Sequence, residues 1–335
     1  MVTIPSSDAG VNAFRFVTMF TVVMAHSFWL FAPPLGSGGN SGLLLMTAQC
    51  AVPTFFITSG YLLRWTEGDP FAVTRWSVRK LIPLYVIWAG LYTVFAWIAG
   101  LGSFVELVTT IGFGVGTLPL WFLPALALAL SVISLSLRFL GLRWTWLLAA
   151  GLAALALFNG AYQTFLGFEA NPLRGNVMLS PFLVLCGVQI RLSDPPRSLL
   201  WFGLAAVAAY WLQILDDRLI ATASGYAAGR APHMTLATIP FALSVFLFGR
   251  SLPSTPLVRW LAARKRYLIV IYCVHSMILT SFDFFSHGRG LAMLFATTIA
   301  AYALSLLVAV MLSAGHRQLR ELTRPRRRLA VANPG

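Results

Sequence analysis

Residues 14–27, FRFVTMFTVVMAHS, lie within an apolar run of membrane-spanning length that nevertheless carries an arginine and a histidine. An ionisable side chain facing lipid is costly, so one inside such a run points to a functional protein interior. Arg15 and His26 are eleven positions apart. At about 3.6 residues per turn that is close to three turns, which puts both on one helix face about 16 Å apart along the axis. The pair taken alone has a plainer reading as well, with Arg15 a boundary anchor and His26 hydrogen-bonded inside a bundle.

Composition extends this reading to the whole chain. Of 335 residues, 58% are hydrophobic and only 10% charged, with a mean hydropathy of +0.79. Apolar runs repeatedly reach the length of about 20 residues that spans a bilayer. The expected fold class is therefore all-α: a polytopic integral membrane protein with about ten transmembrane helices. The expected spans lie near 11–31, 43–63, 79–100, 117–137, 143–159, 176–190, 199–215, 232–249, 267–285 and 291–313, in a single membrane domain over 1–335 with a basic tail at 314–335. The first ten residues lack a basic n-region, and no small-residue cleavage site follows, so no removed signal peptide is expected. Cys50, Cys186 and Cys273 fall inside apolar runs without CxxC or Cys/His metal spacing, which predicts buried free thiols and no metal site.

A net charge of +14 raises nucleic acid as a partner, and the placement of the basic residues decides against it. With the N-terminus on the cytoplasmic side, nineteen of the twenty-four Lys and Arg residues fall in cytoplasmic segments, from Arg64 and Arg75 to the tail arginines 317–328. The opposite loops hold only Arg174, Arg218, Arg230 and Arg289. This is the positive-inside asymmetry, so topology accounts for the basicity and both termini are expected to be cytoplasmic. The Arg324-Pro325-Arg326-Arg327-Arg328 tail is suited to anionic lipid head groups, making membrane lipids an expected partner.

Further along, Pro53 is expected to kink the second span, while Ser59 and Gly60 permit close helix approach. Arg75 and Arg79 stand at i and i+4, beside Lys80, at the start of the third span. Guanidinium groups so spaced suit a forked clamp on phosphate, while the pair taken alone reads first as a positive-inside anchor. His275 is a second intramembrane histidine. His233, His287 and His316 lie at span ends and carry no special reading. Asp216 and Asp217 fall in the longest outer loop, either as acceptor contacts or as solvated loop charges.

Taken together, several pieces resemble the membrane-bound acyltransferase type 3 family. They are Arg15 with His26, Phe55-Phe56-x-x-Ser59-Gly60-Tyr61-Leu62-Leu63, Arg75-x3-Arg79-x3-Pro83-x-Tyr85, Leu120-Trp121-Phe122-Leu123-Pro124, and Tyr272-Cys273-Val274-His275-Ser276 behind Arg264-Lys265-Arg266-Tyr267. The resemblance implies transfer of an acyl group, usually acetyl from acetyl-CoA as donor substrate, onto a hydroxyl of a glycan or glycolipid such as a polysaccharide, a lipopolysaccharide or a lipid-linked sugar. It implies a catalytic role for His26, most simply as general base, for which imidazole is suited because its unperturbed pKa near 6.5 keeps the neutral form available. His275 is a second catalytic candidate. Arg15, Arg75, Arg79, Lys80 and Ser59 are the candidates for holding the donor. Polysaccharide biosynthesis proteins are possible partners, and the bacterial cytoplasmic membrane is the expected location. None of the five histidines is followed by the aspartate of the soluble His-x4-Asp acyltransferase signature. The rival reading is a transporter or flippase of a glycan intermediate, whose folds often carry internal repeats. No repeat relates the two halves of this chain.

Overall fold

The computed structural model describes residues 8–31, 40–63, 69–100, 103, 119–166, 172–224, 234–285 and 290–323. These form helices α1 (Ala9–Phe31), α2 (Asn40–Gln49), α3 (Ala51–Tyr61), α4 (Ala72–Ile98), α5 (Phe122–Phe139), α6 (Gly141–Phe158), α7 (Gln163–Leu166), α8 (Pro172–Ser193), α9 (Leu199–Ser224), α10 (Thr238–Arg250), α11 (Pro256–Ala262), α12 (Leu268–Phe285) and α13 (Leu291–Thr323). Short 3-10 turns at Pro119–Trp121 and Ala263–Tyr267 lead into α5 and α12. No strand occurs among the described residues. Eight stretches of them are long and apolar enough to cross a bilayer. The expected spans near 232–249 and 267–285 correspond to the shorter α10 and to α12. The outer connector at 33–39, Arg64, His233, Arg230, His287, Arg289 and the tail from residue 324 lie outside the described residues.

The packing places α1 at the centre, in contact with α2, α3 and α10 to α13. Its Val11, Phe16, Met19, Val22, Val23, Phe28 and Phe31 are all buried. A helix with polar groups on one stripe and apolar groups on the others is satisfied only where protein surrounds it. By contrast α4, α6 and α9 present Val86, Ile87, Leu147, Leu155, Leu204 and Val207 outward, as a lipid-facing surface requires.

Close backbone approach locks the bundle in two places, and in lipid such packing is a main source of helix association. A Cβ added at Gly60 of α3 would lie 1.9 Å from the Val184 carbonyl oxygen of α8, and one at Gly187 of α8 would lie 1.9 Å from the Ile57 carbonyl oxygen of α3. The two glycines thus let α3 and α8 touch backbone to backbone. Arg191 of α8 adds to this by donating to the carbonyls of Tyr61 and Leu63, both at 3.1 Å, which caps the end of α3. At the second contact, a Cβ on Gly249 of α10 would fall 2.2 Å from the Phe14 ring of α1.

The expected kink in the second span is a break at Cys50, where α2 ends and α3 begins. Pro53 lacks the N–H that would bond the Gln49 carbonyl and its ring crowds that carbonyl, so the proline opens the helix in the turn before it, at Cys50. Pro181 inside α8 removes the hydrogen bond to Val177, and the Ser180 hydroxyl donates to that carbonyl at 2.6 Å instead.

One end of the bundle gathers the arginines, and we call it the basic face. There Arg250, whose side chain is 1% exposed, pairs with Asp194 and donates to the Pro195 carbonyl at 2.7 Å. It also reaches the Tyr61 hydroxyl at 3.4 Å, and that hydroxyl donates to Asp8 at 3.2 Å. This network ties the start of α1 to the ends of α3, α8 and α10. At the opposite end, Asp216 and Asp217 belong to α9 rather than to a solvated loop, because that helix runs on to Ser224. Asp216 accepts from the Tyr162 hydroxyl at 2.7 Å and from the Ala237 amide at 3.0 Å, and Asp217 is buried. Burial first, and then the bond to Asp216, raise the Tyr162 pKa, so the hydroxyl stays a donor.

Gly187→Ala should therefore weaken the fold by about 1–3 kcal/mol through overpacking, read as a lower thermal midpoint of the purified protein. Gly151→Ala, whose Cβ would meet open space, should leave the midpoint unchanged. Asp216→Ala strands the Tyr162 hydroxyl and the Ala237 amide, and the same measurement should show a loss of about 1–3 kcal/mol.

Candidate active site

α1 and α12 lie against each other, and His26 of α1 meets His275 of α12 with ring centroids 5.1 Å apart. The two intramembrane histidines, far apart in sequence, therefore form one pair. His275 is completely buried, and its Nδ1 lies 3.2 Å from the Ile271 carbonyl oxygen. A carbonyl oxygen only accepts, so Nδ1 carries the proton in this bond. The neutral ring then presents Nε2 as a bare lone pair. That Nε2 is buried without a partner among the described residues. A buried polar atom left unsatisfied in this way is costly.

Beneath the pair lies an aromatic cluster drawn from three sequence motifs. The Phe122 ring stands 4.7 Å from Phe56 and 5.6 Å from Tyr272, and Tyr272 lies 6.1 Å from His275. Phe55 and Trp121 flank the cluster. The Tyr92 hydroxyl of α4 donates to the Cys273 carbonyl at 2.9 Å and so fixes α12 beside α4.

From the cluster a cavity of about 920 Å³ runs toward the basic face, walled by α1, α3, α4, α5 and the start of α12. Val22 and Tyr272, each about one helical turn before a histidine of the pair, line it, as do Phe55 and Phe122. Arg15, Lys80 and Lys265 bring three cations to its wall. Most of the remaining lining is aliphatic, including Leu81, Leu84, Leu123, Leu126 and Leu130. The Arg15 Nε is buried with no partner among the described residues. An arginine whose Nε is left unsatisfied on an apolar wall suits an anionic ligand.

The residues expected from sequence separate into two groups. Arg15, Ser59 and Lys80 line the cavity, and His26 and His275 stand beyond it. Ser59 spends its hydroxyl on the Phe55 carbonyl at 2.8 Å, so it offers the cavity the acceptor side of its oxygen. Arg75 and Arg79 are exposed on α4 and lie outside the lining, with Arg75 paired to Asp69. Helical geometry explains this: Trp76 and Lys80 point one residue further round the helix than Arg75 and Arg79, a turn of about 100°. Cys50, Cys186 and Cys273 are buried and unpaired. Among the described residues no three of His, Cys, Asp and Glu converge as metal ligands do.

Lys265 and Tyr272 were not singled out from sequence as site residues, although a signal was present. Lys265 precedes His275 by ten positions, much as Arg15 precedes His26 by eleven. Each of the two neighbouring helical segments thus carries a cation at the wall and a histidine beyond.

Residues 8–314 match the sequence model of the acyltransferase 3 family, described as an acyltransferase domain. This covers nearly the whole chain, and the chain belongs to that family. It is a multi-pass membrane acyltransferase. No curated protein matches it, and no solved structure does.

The geometry gives His275 a test. Asparagine keeps a donor near the place of Nδ1 and loses Nε2. His275→Asn should keep its thermal midpoint and lose turnover in acyl transfer by about tenfold, less than loss of the base itself, because the ring that steadies His26 is gone. Full turnover in a folded His275→Asn would show that only the bond to Ile271 matters.

Proposed function

We propose that this protein is an O-acyltransferase of the bacterial cytoplasmic membrane. It moves an acyl group, acetyl in the simplest case, from acyl-CoA to a hydroxyl of a polysaccharide, a lipopolysaccharide or a lipid-linked sugar. One observation carries the reading: the cavity joins three cations near the basic face to Val22 and Tyr272, one helical turn from the His26–His275 pair. The basic face is then the cytoplasmic one, in keeping with the positive-inside asymmetry. The phosphates of the donor bind at Arg15 and Lys80, and the pantetheine arm follows the cavity inward past Ser59. Arg15 and His26 stand about 16 Å apart along α1, a distance that an extended arm covers.

His26 acts as general base on the acceptor. Its free ring nitrogen takes the proton of the acceptor hydroxyl as that oxygen attacks the thioester carbonyl carbon. The tetrahedral intermediate collapses with cleavage of the C–S bond. The proton on His26 passes to the departing thiolate, which leaves as free CoA. His275, held by the Ile271 carbonyl, steadies the orientation and charge of the His26 ring.

The test is release of free CoA from acetyl-CoA by purified protein with a cell-envelope glycan fraction. Folded His26→Gln should lose turnover by about 100-fold or more. Arg15→Ala should weaken donor binding by about tenfold or more through loss of a charge-assisted contact. Arg79→Ala should change donor binding much less, because Arg79 lies outside the cavity. Absence of both donor binding and turnover in the wild type, across several acyl donors, would overturn the proposal.

A further inference from the structure

The segment Arg264-Lys265-Arg266 presents three consecutive cations in the 3-10 turn before α12. If their purpose were topology alone, the three would be interchangeable. The structure distinguishes them. The Arg264 guanidinium lies over the Trp260 ring at 3.8 Å and donates to the Trp260 carbonyl at 3.0 Å. Arg266 lies over the Tyr267 ring at 4.7 Å and donates to its hydroxyl at 2.6 Å. Stacking and hydrogen bonding engage both guanidinium groups. The Lys265 ammonium has no hydrogen bond or ion pair among the described residues, and of the three it alone lines the cavity.

Two lysines and one arginine meet there from separate segments, and their exposure differs. Arg15 carries a buried Nε, whereas Lys80 and Lys265 are exposed. An extended donor entering from the basic face would put its inner phosphates, those nearest the acyl arm, at the recessed guanidinium. Any charge further out would fall to the exposed ammonium groups. In coenzyme A that outer charge is the phosphate on the ribose 3′ oxygen. Ammonium on a flexible stem suits it, since a single phosphate that still touches solvent needs a point charge and not a fixed fork.

We infer that Lys265 is the specificity residue for the ribose 3′-phosphate, so that the cavity selects coenzyme A thioesters over acyl donors lacking this group. This rests on the acyl-CoA reading of the cavity. Arg264 and Arg266, which have the same charge and are adjacent in sequence, do not share the role.

Binding of coenzyme A and of dephospho-coenzyme A to the purified full-length protein separates the possibilities, with quenching of tryptophan fluorescence as readout because Trp76 lines the cavity. Wild type should bind coenzyme A about tenfold more tightly, on the scale of one charge-assisted contact. Lys265→Gln should bring the two affinities together by weakening coenzyme A and sparing the dephospho form. Lys265→Arg should restore most of the difference, and Arg264→Gln and Arg266→Gln should leave it intact. Equal wild-type affinities, or a Lys265→Gln variant that keeps the difference or weakens both ligands alike, would overturn the inference while leaving donor binding in place. If wild type binds neither molecule, the acyl-CoA reading itself fails.

Discussion

An arginine and a histidine on a helix that crosses lipid impose the constraint from which this structure follows. Neither side chain is tolerated facing hydrocarbon, so α1 must be enclosed by other helices. It is the hub, touched by α2, α3 and α10 to α13, although it comes first in the chain. Enclosure brings α12 alongside and sets His275 against His26. It also leaves a space beside Arg15 that the aliphatic walls of α3, α4 and α5 do not fill.

The positive charges then divide by what they touch. Arg191 caps α3, and Arg250 bridges Asp194, Pro195 and Tyr61, so both are fastened to protein. Arg197 pairs with Asp8 at 3.1 Å. Arg15, Lys80 and Lys265 instead face the cavity. A topological rule that counts cations treats these sets alike; only their partners separate an anchoring charge from one able to meet a ligand. The same distinction applies to the glycines, since Gly60 and Gly187 hold α3 against α8 while Gly151 meets open space.

Much of this was legible in the sequence. Hydropathy alone identifies a helical membrane protein, because a spanning segment must be long and apolar. The spacing of Arg15 and His26 places them on one face; Arg15 lines the cavity and His26 meets His275. Pro53 marks the break as well, since a proline opens the helix in the turn that precedes it, here at Cys50. The Arg75–Arg79 pair drew attention as a phosphate clamp, yet the angle between neighbouring helical positions turns Lys80, and not the arginines, toward the cavity. The length of α9 was underestimated at the charged Asp216-Asp217 pair. Those carboxylates are held by Tyr162, by the Ala237 amide and by burial, contacts between segments that no local pattern displays. The pairing of His26 with His275 is of the same kind, because it depends on which helices become neighbours.

The most direct test is a structure of the protein with coenzyme A bound in a lipid environment. The account predicts the thiol sulfur in the cavity beside Val22 and Tyr272, one helical turn from the histidine pair, with the phosphates among Arg15, Lys80 and Lys265. Coenzyme A bound on the outer face of α4 along Arg75 and Arg79, with the cavity empty, would contradict it.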